Sequence, residues 1–218
     1  MGPKVAKVDI KLGGINLSPF SGKGEISGLV VGNPEGFKAP NAIKIGSATV
    51  AMKPSSLLSD KIVIRSVTIQ AAEITFEGAL GGNNNLSKIM ANVEAATGGS
   101  KPAAADEKKT APKLEVDDFV ITGGIVHVSL ILMGGKSATV RLPDIHLTDM
   151  GTGPEGITPA EFSKQVLQAI THGTVKAVAG AMADLGKGAT DTAKSIGKGA
   201  TDGAGKAAKS ITDIFKKK

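Results

Sequence analysis

Lys61-Ile-Val-Ile-Arg-Ser-Val-Thr-Ile-Gln-Ala-Ala-Glu-Ile-Thr-Phe76 and Lys113-Leu-Glu-Val-Asp-Asp-Phe-Val-Ile-Thr-Gly-Gly-Ile-Val-His-Val128 lie 52 residues apart and share one pattern. In both, apolar side chains recur at every second position, which on a strand lines one face. Sliding the chain by 52 residues sets Ile62, Ile64, Val67, Ile69, Ile74 and Phe76 onto Leu114, Val116, Phe119, Ile121, Val126 and Val128. A small pair divides each copy (Ala71-Ala72, Gly123-Gly124), and a Gly-Gly follows each after Leu80 and Leu132. Matched apolar and small positions together read as a duplicated β unit. The three-residue step from Ile64 to Val67, and from Val116 to Phe119, reverses side-chain parity, so a bulge or bend is expected near Ser66 and Asp118. A sheet bent at the same place in each unit curls, and its apolar inner face becomes a groove. The groove candidates are Ile62, Ile64, Val67, Ile69, Leu114, Val116, Phe119 and Ile121.

Upstream, Val8, Ile10 and Leu12 alternate with Lys7, Asp9 and Lys11, the pattern of a half-buried strand. Further strands are expected near 24–31, 42–52, 61–70 and 73–80, separated by Pro-containing turn signals. Asn83-Asn84-Asn85 offers helix N-caps, and a short helix over about 86–96 would bury Leu86, Ile89, Met90 and Val93. Residues 98–113 have almost nothing to bury and contain Pro102 and Pro112, so they read as a linker or long loop. Alternation resumes from Leu114 to Leu147, with Gly134-Gly135-Lys136 as a hairpin turn.

The carboxy-terminal region has a period of its own. Leu185-Gly-Lys-Gly-Ala-Thr-Asp recurs eleven residues later as Ile196-Gly-Lys-Gly-Ala-Thr-Asp, and a degenerate third copy ends in Ile211, Ile214 and Phe215. On a helix these apolar residues form one stripe, because a period of 3.67 residues per turn is close to the natural 3.6. Six glycines between Leu185 and Phe215 cost roughly 1 kcal/mol each relative to Ala, so the helix is expected to form on an apolar surface rather than in water. From Asp184 onward, eight Lys stand against four Asp, so most of the net charge of +6 sits here. Leu185, Ile196, Ile211, Ile214 and Phe215, with Lys216, Lys217 and Lys218, are therefore the candidates for contact with a membrane surface.

In 218 residues there are 29 Gly, six Phe, and no Trp, Tyr or Cys. The missing cysteine excludes disulfides, thiolate metal sites and a cysteine nucleophile. The apolar run Ile125–Met133 is interrupted by His127 and Ser129 and is far shorter than the ~20 residues of a membrane span. Met1-Gly-Pro-Lys4 leads into an alternating segment rather than the apolar core of a secretory signal. Gly135-Lys136-Ser137 resembles the end of a phosphate-binding loop, but position 130 is Leu where that loop needs Gly. Gly28, Gly32 and Gly36 lack dinucleotide-loop spacing. His127 and His146, with Asp144 and Asp149, would suit a metal if the hairpin brought them together, although solvent-facing strand residues explain them as well. Asp117 and Asp118 alternate to opposite faces, which disfavours a shared acid–base role. The tail offers one aromatic and interleaves Lys with Asp, a poor platform for nucleic acid. No enzyme, cofactor, metal or nucleic-acid partner is expected.

Gly28-Leu-Val-Val-Gly-Asn-Pro-Glu-Gly-Phe37, Ser56-Leu-Leu-Ser-Asp-Lys-Ile-Val-Ile-Arg-Ser-Val-Thr-Ile69, Glu73-Ile-Thr-Phe76 and the run from Gly82 to Leu86 resemble the amino-terminal region of bacterial AsmA-like proteins. Val116-Asp-Asp-Phe-Val-Ile-Thr-Gly-Gly124 is similar to the same family's repeated strand unit, and the resemblance covers roughly residues 5–150. It implies a periplasmic envelope protein, tethered to the inner membrane by a segment outside this chain, whose curved β groove contacts phospholipid. The chain is shorter than the long groove-forming members and has no amino-terminal membrane helix of its own.

The expected architecture is α+β and mainly antiparallel: a curved sheet with a duplicated strand unit, one short helix and an amphipathic helical tail. Residues 1–97 would form the first β unit and its helix, 98–113 the linker, 114–157 the second β unit, and 158–218 the tail. The function expected is non-enzymatic contact with phospholipid or a membrane surface through groove and tail. The alternatives are a module whose sheet face docks an envelope protein partner, and a stress-type protein in which the amphipathic helix is the active part.

Overall fold

Among the described residues, alternation of apolar residues up to position 150 is realised as ten strands in one open, mixed sheet. The computed structural model describes residues 8–80, 82–98, 112–129 and 137–184. β1 (Ile10–Lys11) and β2 (Gly14–Ser18) both pair with β3 (Lys23–Gly32), which pairs with β4 (Asn41–Met52). β5 (Lys61–Gln70) and β6 (Glu73–Glu77) follow, then β7 (Lys113–Thr122) and β8 (Ile125–Ser129), then β9 (Ser137–Arg141) and β10 (Ile145–Met150). α1 (Asn85–Gly98) lies between β6 and β7, and residues 159–184 form α2. The chain divides into two compact units, Met1–Val178 and Ala179–Lys218. Of the second, residues 179–184 are helical; the repeat from Leu185 to Lys218 lies outside the described residues, as do most of the linker and the Gly134-Gly135-Lys136 turn.

β5 and β6 do not pair with each other. Both lie on the same edge of β4, Ile69 facing Ala48 and Ile74 facing Ile43, so they are successive halves of one line interrupted at Ala71-Ala72. β7 and β8 are likewise two halves of one line, paired antiparallel with β10 and β9. The two lines run parallel: Lys61 faces Lys113, Ile69 faces Ile121 and Phe76 faces Val128, a separation of 52 residues that holds without change. The expectation of a mainly antiparallel sheet is therefore only partly right. Two like strand segments joined by a connection that contains a helix lie side by side in the same direction, since a crossover returns the chain to its starting end.

The ladders are interrupted along one seam across the whole sheet. Register on either side places Gly13 opposite Gly28, Gly28 opposite Gly46, Gly46 opposite Ala71, Ala71 opposite Gly123, and Gly123 opposite Pro143. Gly28, Ala71 and Gly123 have positive φ, and a Cβ on Gly28 would sit 3.1 Å from the Gly13 Cα. A second irregularity falls where the three-residue step predicts one: the β4–β5 register shifts between Ala51 and Met52, opposite Ser66 and Ile64, and Asp149 has φ 56°.

The result is a sheet with one apolar face. Ile15, Ile26, Ala48, Ile69, Ile121 and Ile145 form one continuous row across it, and Ile10, Val31, Ile43, Ile74, Val126 and Val140 another. The opposite face presents rows such as Glu25, Thr49, Thr68, Val120 and His146. α1 buries Leu86, Ile89 and Val93, and α2 buries Leu167, Ile170 and Val178. Asn84 caps α1, its Oδ1 accepting from the Ser87 amide at 2.9 Å. Asn85, fully buried, donates to Asn33 Oδ1 and the Thr75 carbonyl and accepts from the Glu77 amide. The Glu77 carboxylate in turn accepts from the Lys38 and Ala39 amides. The Asn33-Pro34-Glu35-Gly36-Phe37 segment and the Asn85-Leu86 helix start thus meet as a satisfied polar network that fixes a loop, β6 and α1 together.

Candidate functional site

α2 begins with a capping box. Thr158 Oγ1 accepts from the Glu161 amide at 3.1 Å, while the Glu161 carboxylate accepts from the Thr158 amide at 2.7 Å and its hydroxyl at 2.8 Å, with Pro159 at the first helical position. These bonds to Thr158, backbone first, hold the Glu161 carboxyl below its ordinary range, with a small further pull from Lys113. The cap sets where the helix starts and so where its next residue points: Phe162 meets Phe119 of β7 edge to face, with ring centroids 5.9 Å apart. Further along, Gly173 faces Leu142 and Ile145, whose side chains lie within ordinary contact distance of where a Cβ would stand, 3.5 to 3.7 Å. α2 therefore covers the β7–β10 side of the apolar face.

Between that helix, α1 and the β3–β5 side of the sheet lies a cavity of about 380 Å³. Val31, Ile43, Ile45, Val67, Ile69 and Phe119 form its sheet wall, Ile89 and Val93 of α1 and Val166, Leu167 and Ile170 of α2 its helix wall. Ser163 is the one polar residue among those that line it. Lys164 and Glu94 form an ion pair at 3.2 Å between the two helices. From the cavity the apolar face runs on through Ile10, Ile26 and Leu29 to the edge strands, where Leu12, Ile15 and Leu17 are 46%, 57% and 50% exposed. At the ends of the strands, Phe20 and Leu58 are each 98% exposed, in adjoining connections tied by the Met52 amide donating to the Gly22 carbonyl.

Of the eight groove candidates, Val67, Ile69 and Phe119 line the cavity. Val116 and Ile121 are buried but do not reach it, and Ile62, Ile64 and Leu114 lie half-buried nearer the start of their strands, where Leu114 bridges to Ile157. The tail candidates Leu185, Ile196, Ile211, Ile214, Phe215, Lys216, Lys217 and Lys218 lie outside the described residues. A helix from residue 158 and strands near 24–31 and 42–52 were expected, but none of the β3, β4 or α2 residues that line the cavity was among the groove candidates. The signal for the helix was present, because Phe162, Val166, Leu167, Ile170, Thr174 and Val178 recur at spacings that keep one helix face.

The two strand histidines do not meet. His127 faces Thr139, to which its Nδ1 lies at 3.2 Å, whereas His146 faces Val120, seven residues or ~23 Å along the line, and bonds Asp118. Among the described residues no group of three or more metal-ligating side chains converges, and no helix is long and apolar enough to cross a membrane. None of the known protein-family models matches the chain, and none of the curated proteins matches it at a significant level.

Proposed function

We propose that this chain is a non-enzymatic lipid-contacting protein of AsmA-like type in the bacterial envelope, holding an acyl chain against the apolar face of its sheet. The observation that supports this reading is the cavity. Its size falls within the ~300–1,000 Å³ range of small-molecule sites, and its wall offers dispersion and desolvation but almost no hydrogen bonding. The pocket is partly open, so without an occupant its apolar wall stands against water, and an apolar chain laid along it would cover that surface. The apolar lining runs on from the helices through Ile10, Ile26 and Leu29. Phe20 and Leu58, near Lys23 and Lys53 in sequence, suit insertion into a bilayer surface, with the basic carboxy-terminal repeat adding attraction to anionic headgroups.

The test is uptake of a fluorescent fatty acid. The wild-type chain should bind it, and Val166→Trp, which fills the cavity without adding charge, should lose most of the binding while circular dichroism stays unchanged. Equal binding by a folded Val166→Trp variant would refute the site. Absence of uptake by the wild type would leave the protein-docking reading of the sheet face.

A further inference from the structure

We infer that β1 and β2 form a homodimer edge, at which residues 9–18 of two copies pair antiparallel about a two-fold axis between Gly13 and Gly14 and make one sheet of both. Among the described residues nothing pairs with the outer side of these strands. Inward-facing residues are identified by their bonds toward β3. The Asp9 and Ser18 carbonyls accept from Gly32 and Gly22, and the Gly13 amide donates to the Ser27 and Gly28 carbonyls. Strand alternation, reversed at the seam, then turns the amides and carbonyls of Ile10, Leu12, Ile15 and Leu17 toward the open edge. The same four residues carry the apolar face, Ile10, Ile15 and Leu17 through their rows with Val31, Ile26 and Gly24, and Leu12 by continuing the β1–β3 register one step further.

Ile10-Lys-Leu-Gly-Gly-Ile-Asn-Leu17 is palindromic in this pattern. A two-fold axis at its centre sets Ile10 opposite Leu17 of the second copy and Leu12 opposite Ile15 of the second copy. Every outward backbone group then meets an outward backbone group, and every apolar side chain meets an apolar side chain on the same face. Gly13 meets Gly14 of the second copy, so the seam continues across the axis. Lys11 falls opposite Asn16 and Asp9 opposite Ser18, so no like charges are apposed. The pairing supplies about eight backbone hydrogen bonds, within the usual ~10 ± 5 of a specific interface. It also covers Ile15 and Leu17 on β2 and Leu12 at the junction with β1, each a large apolar side chain left exposed. The other edge is guarded against such pairing: Pro143 interrupts its middle, flanked by Arg141 and Asp144, and its Leu142 and Ile145 are buried.

Sedimentation equilibrium of the full chain should give a species of twice the chain mass, and Ile15→Lys, at an exposed position, should return it to monomer without loss of fold. Because the chain has no cysteine, register is read by mild oxidation of single-cysteine variants. A mixture of Leu12→Cys and Ile15→Cys chains should cross-link, whereas each variant alone should not. A monomer at all concentrations, a dimer indifferent to Ile15→Lys, or equal cross-linking by Leu12→Cys alone would each overturn the inference.

Discussion

Asn85 and Thr174 are both fully buried polar residues and are expected to respond to substitution in opposite directions. Asn85 makes hydrogen bonds through both ends of its amide, so Asn85→Ala leaves the Glu77 amide and the Thr75 carbonyl short of a partner. Stability should fall by roughly 3 kcal/mol in urea unfolding. Thr174 Oγ1 is buried with no hydrogen-bond partner among the described residues, so Thr174→Val removes an unpaired hydroxyl at nearly constant shape and should raise stability by about 1 kcal/mol. Glu161 adds a pH dependence. Its carboxyl is held below the ordinary range by the bonds to Thr158, so the cap contributes stability above the unfolded glutamate range. That contribution is lost as pH falls through the lowered folded value, and Glu161→Gln should flatten the acid limb of the unfolding profile. Thr158→Ala should cost about 1 kcal/mol at neutral pH.

At the scale of elements, the strands were the legible part. Alternation located the strands from 24 to 77 within a few residues, because one face of each is buried and the other solvated. The offset of 52 was legible too, and it is the register of the parallel ladder itself. Strand direction was not legible, since alternation is the same for parallel and antiparallel partners; only the intervening helix points to a crossover. Nor did Ala71-Ala72 announce that β5 and β6 are collinear, because small residues serve a turn and a seam equally. α2 merges with the tail in sequence, since both are Ala- and Gly-rich with an apolar stripe, although Phe162, Leu167 and Ile170 are larger than most residues of the repeat. For the tail, a peptide of residues 184–218 should gain helicity on anionic vesicles, less on neutral ones, and lose the gain when Ile196 and Ile211 become Ser. A peptide that stays unstructured on anionic vesicles at low salt would remove the membrane role from the repeat.

For the molecule as a whole, the two faces of the sheet divide the work. The polar face is solvated, and the apolar face is covered by α1 and α2 up to a gap that the side chains do not fill. The candidate groove was legible at the level of which face is apolar. The cavity was not, because it depends on where α2 stops covering β7 and on Ile43 and Ile45, a region with no counterpart in the repeated unit. The most direct test of the central claim is native mass spectrometry of the full chain, purified gently from bacterial cells, with lipid extraction alongside. The account predicts a mass increment matching one acyl-chain lipid, released on unfolding and absent from Val166→Trp. A wild-type chain of bare polypeptide mass, whose extract contains no lipid, would contradict it.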